Sequence, residues 1–444
     1  MTNIQVEDLS VVKKKITFEV PEETMTSLLD AEYRDLKRNV QIKGFRKGKV
    51  PLNILRSYFK SKVEADVVRK AIDETFEPAL DEKKIMPVSV IRIEPETFES
   101  GKPFKYTAEI EVTPPIEVKG YKGLKLNRTV RTLDERQVDE RLERLRETVA
   151  SLDPIPEDRG VQPGDHLVAD IKASVDGQPI SSLTVTDYHL ELGRDFYLPG
   201  FDSKLEGIKP DETNLIALDL PDTFPRKDMA GKTAEIEVVI KQAKVRVLPE
   251  LDDDFAKDLG EYETIEQVKE DIRRDIREML ENETMKELRN QIVDGLIELN
   301  EIEVPESMVD HQIDARIDQS MRSLAAQGID IKRLPPPSQE QRDQMRPQSL
   351  RTVQAGLLLK AVGEQEHIEV SDDELDEGIK KRANAFGLSP DLLKDRWAEN
   401  NMLEEFRASL IEDKIYELIE AHAEITDREA PAKDDSTEEQ SGSE

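Results

Sequence analysis

At 444 residues the chain is too long for a single hydrophobic core and predicts about three domains. With 36% charged residues, 5% aromatics and a formal net charge of −32, it excludes a compact, aromatic-rich enzyme and predicts a surface-heavy, helix-rich molecule. No cysteine is present, which excludes disulfides, thiol catalysis and thiolate metal sites and fits a reducing cytoplasm.

The opening residues, Met1 to Asp8, lack a basic region followed by an apolar run, and no run of 18 apolar residues occurs, so neither export nor membrane anchoring is expected. Over residues 10–20, Val12, Ile16, Phe18 and Val20 largely alternate with polar neighbours and predict a strand. Helices are expected over 21–40 and 51–70. Leu28, Leu29, Leu36, Ile54, Leu55, Tyr58, Val63 and Val67 are assigned to hold that pair against a sheet. Strands over 87–93 and 104–112 complete an α+β unit ending near Thr113-Pro114-Pro115.

Between the two helices lies Gly44-Phe45-Arg46-Lys47-Gly48-Lys49-Val50-Pro51. The glycines free the backbone to bend and Pro51 suits a helix opening, so the stretch reads as an outward-facing basic loop. From Arg34 to Lys70 twelve Lys or Arg stand against Asp35, Glu64 and Asp66, an excess of nine positive charges in an acidic chain. Such segregation steers a molecule toward an anionic surface. Neither a helix-turn-helix nor a zinc pattern accompanies the charge, so DNA binding is not expected.

This octapeptide resembles the signature Gly-Phe-Arg-x-Gly-x-x-Pro of trigger factor, a bacterial chaperone family that docks beside the ribosomal exit tunnel. The run LPELDDDFAKDL, Leu248 to Leu259, supports the resemblance, which extends over about residues 1–425. It implies that Gly44, Phe45, Arg46, Lys47, Gly48, Lys49 and Pro51 meet a ribosomal protein and adjacent ribosomal RNA. Phe45 would pack, and the cations would pair with carboxylates or phosphates.

Residues 116–152 read as a connector whose helix opens with an Asp134/Gln137 capping box and carries Val138, Leu142, Leu145, Val149 and Leu152 before Asp153-Pro-Ile-Pro156 breaks it. From Gly160 the period shifts to two. Residues 166–171, an Asp176-Gly177 hairpin turn, 188–192 and 233–247 read as antiparallel strands, with a short helix near 201–206 ending at Gly207. Tyr197-Leu198-Pro199-Gly200-Phe201 resembles the pocket floor of FKBP-type prolyl isomerases. That resemblance implies an apolar proline pocket lined by Tyr188, Tyr197, Leu198, Phe201 and Phe224. Such a pocket eases rotation about an amide, a barrier of about 18–20 kcal/mol, by desolvation and shape, without acid, base or metal. Ile171, Ile180, Leu220 and Ile236 stand where the family commonly has aromatics, and Ser181 where it often has an acid, so weakened turnover is expected.

Beyond Leu248 the chain reads as helical, with capping boxes at Thr264/Gln267, Ser338/Gln341 and Ser371/Glu374, helix openings at Pro305 and Ser389-Pro390, and stops at Gly328 and Gly387. The apolar stripes are narrow, as in extended two-helix arms. Asp252-Asp253-Asp254 is read as a solvated turn, and the five histidines lack ligand spacing. Residues 427–444 read as a disordered acidic tail.

The expectation is thus a multidomain α+β chain: a ribosome-docking α+β domain (1–115), a helical connector (116–152), an FKBP-like antiparallel β domain (153–247), an all-α body with helical arms (248–426) and the tail (427–444). The resemblance implies an ATP-independent chaperone of nascent polypeptides at the large ribosomal subunit. No phosphate loop, cofactor, metal, DNA or membrane partner is expected. Self-association into a homodimer off the ribosome is left open. The alternatives are a dedicated prolyl isomerase and a holdase that never meets ribosomes.

Overall fold

The computed structural model describes residues 2–430 apart from Gly44, Glu157, Phe196, Asp222, Pro225, Lys227, Asp228 and Asn401. Gly44 of the basic loop and residues 431–444 of the expected tail therefore lie outside the described residues. The chain divides into two compact units, Met1–Val130 with Met285–Glu444, and Arg131–Thr284.

The first unit opens with β1 (Asn3–Asp8), β2 (Lys13–Val20), α1 (Glu22–Asn39), α2 (Leu52–Glu82), β3 (Pro87–Pro95) and β4 (Phe104–Val112). The strands form an antiparallel sheet in the order β1-β2-β4-β3. Alternation places Ile16, Phe18, Val20, Phe104, Tyr106 and Ala108 inward, where they meet Met25, Leu29 and Tyr33 of α1 and a stripe at four-residue spacing on α2, Leu55, Phe59, Val63, Val67, Ala71, Thr75 and Ala79. Phe18 and Tyr106, paired in register, stack at 4.5 Å. Burial pushes the Tyr106 phenol up to about 12, and its hydroxyl is satisfied by Thr75 at 2.9 Å. Three expectations are corrected. β1 was not foreseen, α2 continues to Glu82 rather than stopping near 70, and Tyr58 is 72% exposed instead of packing on the sheet. The packed stripe runs through Leu55, half-buried Phe59 and Val63, and Tyr58 falls one position off it. β5 (Lys125–Val130) ends this segment.

The second unit contains α3 (Glu135–Thr148), β6 (Ser151–Pro154), β7 (His166–Val175), β8 (Gln178–Pro179), β9 (Val185–Glu191), α4 (Phe201–Leu205), β10 (Thr213–Asp219), β11 (Thr233–Val247) and α5 (Asp253–Asp258). Its six-stranded antiparallel sheet runs β10-β11-β7-β8, with β6 on β11 and β9 on β7. Inward residues such as Ile171, Ala173, Ile236 and Val238 enclose Phe201 and Leu205 of α4. The β7–β8 turn places Asp176 and Gly177 at φ of +52° and +76°, as its Asp-Gly pair dictates. Asp134 caps α3 through the Arg136 N–H rather than in a capping box. Val149 and Leu152 are exposed, and β6 straddles the boundary expected at 152/153. Asp252 accepts the N–H groups of Asp254 and Phe255, so the acidic triplet is a helix cap.

Helix α6 (Ile265–Leu299) runs across the division between the units, and its later turns belong to the first. α7 (Glu306–Ala326), α8 (Gln339–Gln365), α9 (Asp372–Ala385), α10 (Pro390–Glu399), α11 (Met402–His422) and β12 (Glu424–Glu429) follow. All three boxes, at Thr264/Gln267, Ser338/Gln341 and Ser371/Glu374, are reciprocal. Leu288, Ile292 and Leu296 of α6 pack with Leu358 and Val362 of α8 and Ile415 and Ile419 of α11. Asn300 and Gln291 hold the backbone of Lys119 and Asn127 with their amides, and β12 pairs parallel to β5. This strand corrects two expectations. The segment beyond Leu248 is not wholly helical, and residues 427–429 are paired rather than part of a free tail.

Candidate docking loop and aromatic cluster

The loop between α1 and α2 is shaped by local backbone bonds. The Phe45 N–H donates to the Ile42 carbonyl at 3.1 Å and the Lys49 N–H to the Arg46 carbonyl at 2.9 Å. Gly48 takes φ of +79° with open space where a Cβ would stand, and Val50, fully buried, pins the loop to the core. Phe45 is 38% exposed. Arg46, Lys47, Lys49 and Pro51 are exposed and Gly48 is half-buried. Pro51 stands just before α2, at its N-cap.

Five of the neighbouring cations differ from those of the loop. Lys70 pairs with Glu32, whose hydrogen bond and charge raise its pKa, Lys60 lies 3.9 Å from Glu64 and Arg38 3.7 Å from Asp35. Arg56 sits 5.6 Å over the Tyr33 ring, and Arg34 donates to the Asp30 carbonyl. Among the described residues Arg46, Lys47 and Lys49 have no ion pair and no hydrogen bond from their side chains. The loop therefore presents three uncompensated charges around one exposed ring, a surface suited to carboxylates or phosphates beside an apolar spot.

In the second unit the aromatic residues named from the sequence gather in one place. Tyr188 and Tyr197 lie 5.6 Å apart at 60°, and Tyr197 and Phe201 4.6 Å apart at 45°. Phe201 is fully buried and Leu198 nearly so, while Tyr188, Tyr197 and Phe224 are half-buried against the same core. Phe201 thus backs the cluster from inside, and the two tyrosines form its accessible side. The Tyr197 hydroxyl donates to the Leu183 carbonyl, and burial raises its pKa. Among the described residues the Tyr188 hydroxyl has no protein partner and is free to donate. Ile171, Ile180, Leu220 and Ile236 are all buried, so none supplies a flat exposed wall. The Leu183 carbonyl was not signalled by the sequence, because only the fold brings it to Tyr197.

The helical hairpins carry graded apolar stripes. On α7, Val309 and Ile313 are buried, Ile317, Met321 and Leu324 half-buried, and Ile329, Ile331 and Leu334 beyond it exposed. Arg342 and Arg346 of α8 pair with Asp314 and Asp310 of α7 at 2.6 and 3.2 Å. Among the described residues no cluster of three or more His, Asp or Glu could hold a metal ion, and no helix is long and apolar enough to cross a membrane.

These features define a multidomain α+β protein, built from an α+β unit with a cationic loop, an antiparallel sheet domain and paired helices. Family models described as bacterial trigger factor protein (TF) and its C-terminus match residues 2–145 and 264–421. The trigger factor of Geotalea daltonii is 37% identical over 428 residues, covering 96% of this chain and 98% of its own. That of Geotalea uraniireducens is 36% identical over 424 residues, with coverage of 95% and 98%. A solved structure from a study of promiscuous substrate recognition by the trigger factor chaperone is 22% identical, spanning 94% of this chain and 98% of its own, with a TM-score of 0.48. The chain belongs to the trigger factor family, whose members are chaperones of protein folding.

Proposed function

We propose that this chain docks through the 44–51 loop on the large ribosomal subunit at the exit tunnel, and there receives unfolded nascent polypeptides without ATP. The working division is docking by residues 1–115, substrate holding by 248–426, and an auxiliary FKBP-type prolyl isomerase of weakened turnover in 153–247, joined by 116–152, all acting in the cytoplasm. The observation that carries this reading is the loop: among the described residues three exposed cations without intramolecular partners follow Phe45, while Arg34, Arg38, Lys60 and Lys70 on the adjoining helices are paired or hydrogen-bonded. The half-buried stripe on α7 supports holding, since scattered Ile, Met and Leu beside polar groups bind many sequences weakly.

Ribosome co-sedimentation tests the docking. Phe45→Ala/Arg46→Ala/Lys47→Ala should lower affinity about 100-fold, from two charge-assisted contacts and one buried ring, with an unchanged fold. Equal pelleting of the variant and the wild type overturns the docking.

The trio of Tyr188, Tyr197 and Phe201 favours a second reading, in which prolyl isomerisation is the main activity. Turnover of a proline-containing peptide by the full chain decides between them. Robust kcat/KM, despite aliphatic residues at 171, 180, 220 and 236, would favour the second reading.

A further inference from the structure

The segment carrying Tyr197, Leu198 and Phe201 is closed on itself by two aspartates. One carboxylate oxygen of Asp202, Oδ2, accepts the N–H of Gly193 at 2.7 Å and that of Asp195 at 2.8 Å. Asp195 returns the bond, its Oδ1 accepting the Asp202 N–H at 3.2 Å. Gly193 and Asp195 both sit in the left-handed region, at φ of +101° and +50°, which turns their amides toward a single acceptor. Asp202 is 4% exposed, and its second oxygen, Oδ1, is buried with no hydrogen-bond partner. Among the described residues it has no cation beside it. A buried carboxylate without a counter-ion is costly, so the two short charge-assisted bonds to the backbone are its main compensation.

We propose that Asp202 is a positioning residue for the proline-binding face. The clasp fixes both ends of the segment from 195 to 202, and the Tyr197 hydroxyl on the Leu183 carbonyl fixes its middle. Together they hold the Tyr197 ring against Tyr188 and Phe201 at the spacing described above. The proposal rests on the isomerase reading of this site. It adds that the face is held by the acceptor strength of Asp202 rather than by its packing alone.

The test uses the full chain with two substitutions at Asp202 and one at Asp195, and two readouts. These are hydrogen exchange of the Gly193 and Asp195 amides, and kcat and KM for a proline-containing tetrapeptide. Asp202→Ala should speed exchange of both amides by about 10- to 100-fold and raise KM about tenfold, with kcat less affected. Asp202→Asn keeps an acceptor oxygen and should restore both readouts to within about threefold of the wild type. Asp195→Gly takes the left-handed φ of +50° without strain, removes the 3.2 Å bond and should raise KM about threefold. Protected amides in Asp202→Ala overturn the proposal. So does an unchanged KM once protection is lost, or an Asn variant as damaged as the Ala variant. If the wild type turns over no peptide, the isomerase reading fails, and exchange alone then judges the clasp: lost protection in Asp202→Ala supports it, retained protection overturns it.

Discussion

The candidate docking loop and the aromatic cluster are opposite solutions to presenting a side chain. In the loop, Phe45, Arg46, Lys47 and Lys49 stand in solvent, and their placement rests on the backbone, on Gly48 and on one buried anchor, Val50. In the cluster, Phe201 and Leu198 are part of the core, Tyr197 is tied to a carbonyl, and only the edges of Tyr188, Tyr197 and Phe224 reach the surface. The difference shows which link each region depends on. The loop can lose its chemistry and keep its fold, whereas the cluster cannot lose its central ring without losing the fold that shapes it.

The largest expected effect breaks that comparison most directly. Phe201→Ala removes a fully buried ring from the core of the second unit and should cost about 3–5 kcal/mol of its stability, read by urea unfolding of the full chain. The triple loop variant should leave the same curve unmoved. If Phe201→Ala unfolds like the wild type, the ring is a dispensable pocket wall and the contrast is void.

A smaller effect sharpens the contrast through pH. The Tyr197 phenol is held neutral by burial, so its folded pKa lies above its unfolded value of about 10. A neutral acid in the fold that ionises when unfolded contributes stability below pH 10, and that contribution is lost as pH rises further. Tyr197→Phe should cost about 1 kcal/mol at neutral pH for the lost bond to Leu183 and should flatten the alkaline decline of the second unit. An equally steep decline in the variant would place the titrating group elsewhere.

The two regions were also legible to different degrees. The loop was readable residue by residue, because glycine positions and local charge excess are properties of a continuous stretch. Its helices were readable too, although Tyr58 was placed in the core because it stands four residues beyond Ile54, whereas the packed stripe of α2 runs Leu55, Phe59, Val63 and leaves Tyr58 one position off it. Capping signals fixed α8 and α9, since Ser338/Gln341 and Ser371/Glu374 act within one turn. The parallel pair of β5 and β12 was not readable. Its strands, Lys125–Val130 and Glu424–Glu429, are short and mostly polar, lie about three hundred residues apart, and depend partly on the Gln291 amide bonded to Asn127. In the aromatic cluster the residue types came from resemblance to a family, and the Asp195–Asp202 clasp had no signal, because two aspartates seven positions apart meet only once the segment has turned.

The smallest effect tests the loop's dependence on backbone alone. Gly48 holds φ of +79°, with nothing within 4 Å of where a Cβ would stand. Gly48→Ala therefore meets no clash, and its cost is conformational, about 1 kcal/mol for an L-residue in the left-handed region. That strain can be relieved by turning the Arg46–Lys49 segment, which would redirect the cations without exposing any core. Ribosome affinity should fall several-fold, by about fivefold for a 1 kcal/mol strain, while thermal unfolding shifts little. Asn tolerates the left-handed region better than Ala, so Gly48→Asn should recover much of the docking. Equal losses from Ala and Asn would mean that a side chain at 48 obstructs the partner, and that the loop is read by close backbone approach as well as by its exposed cations.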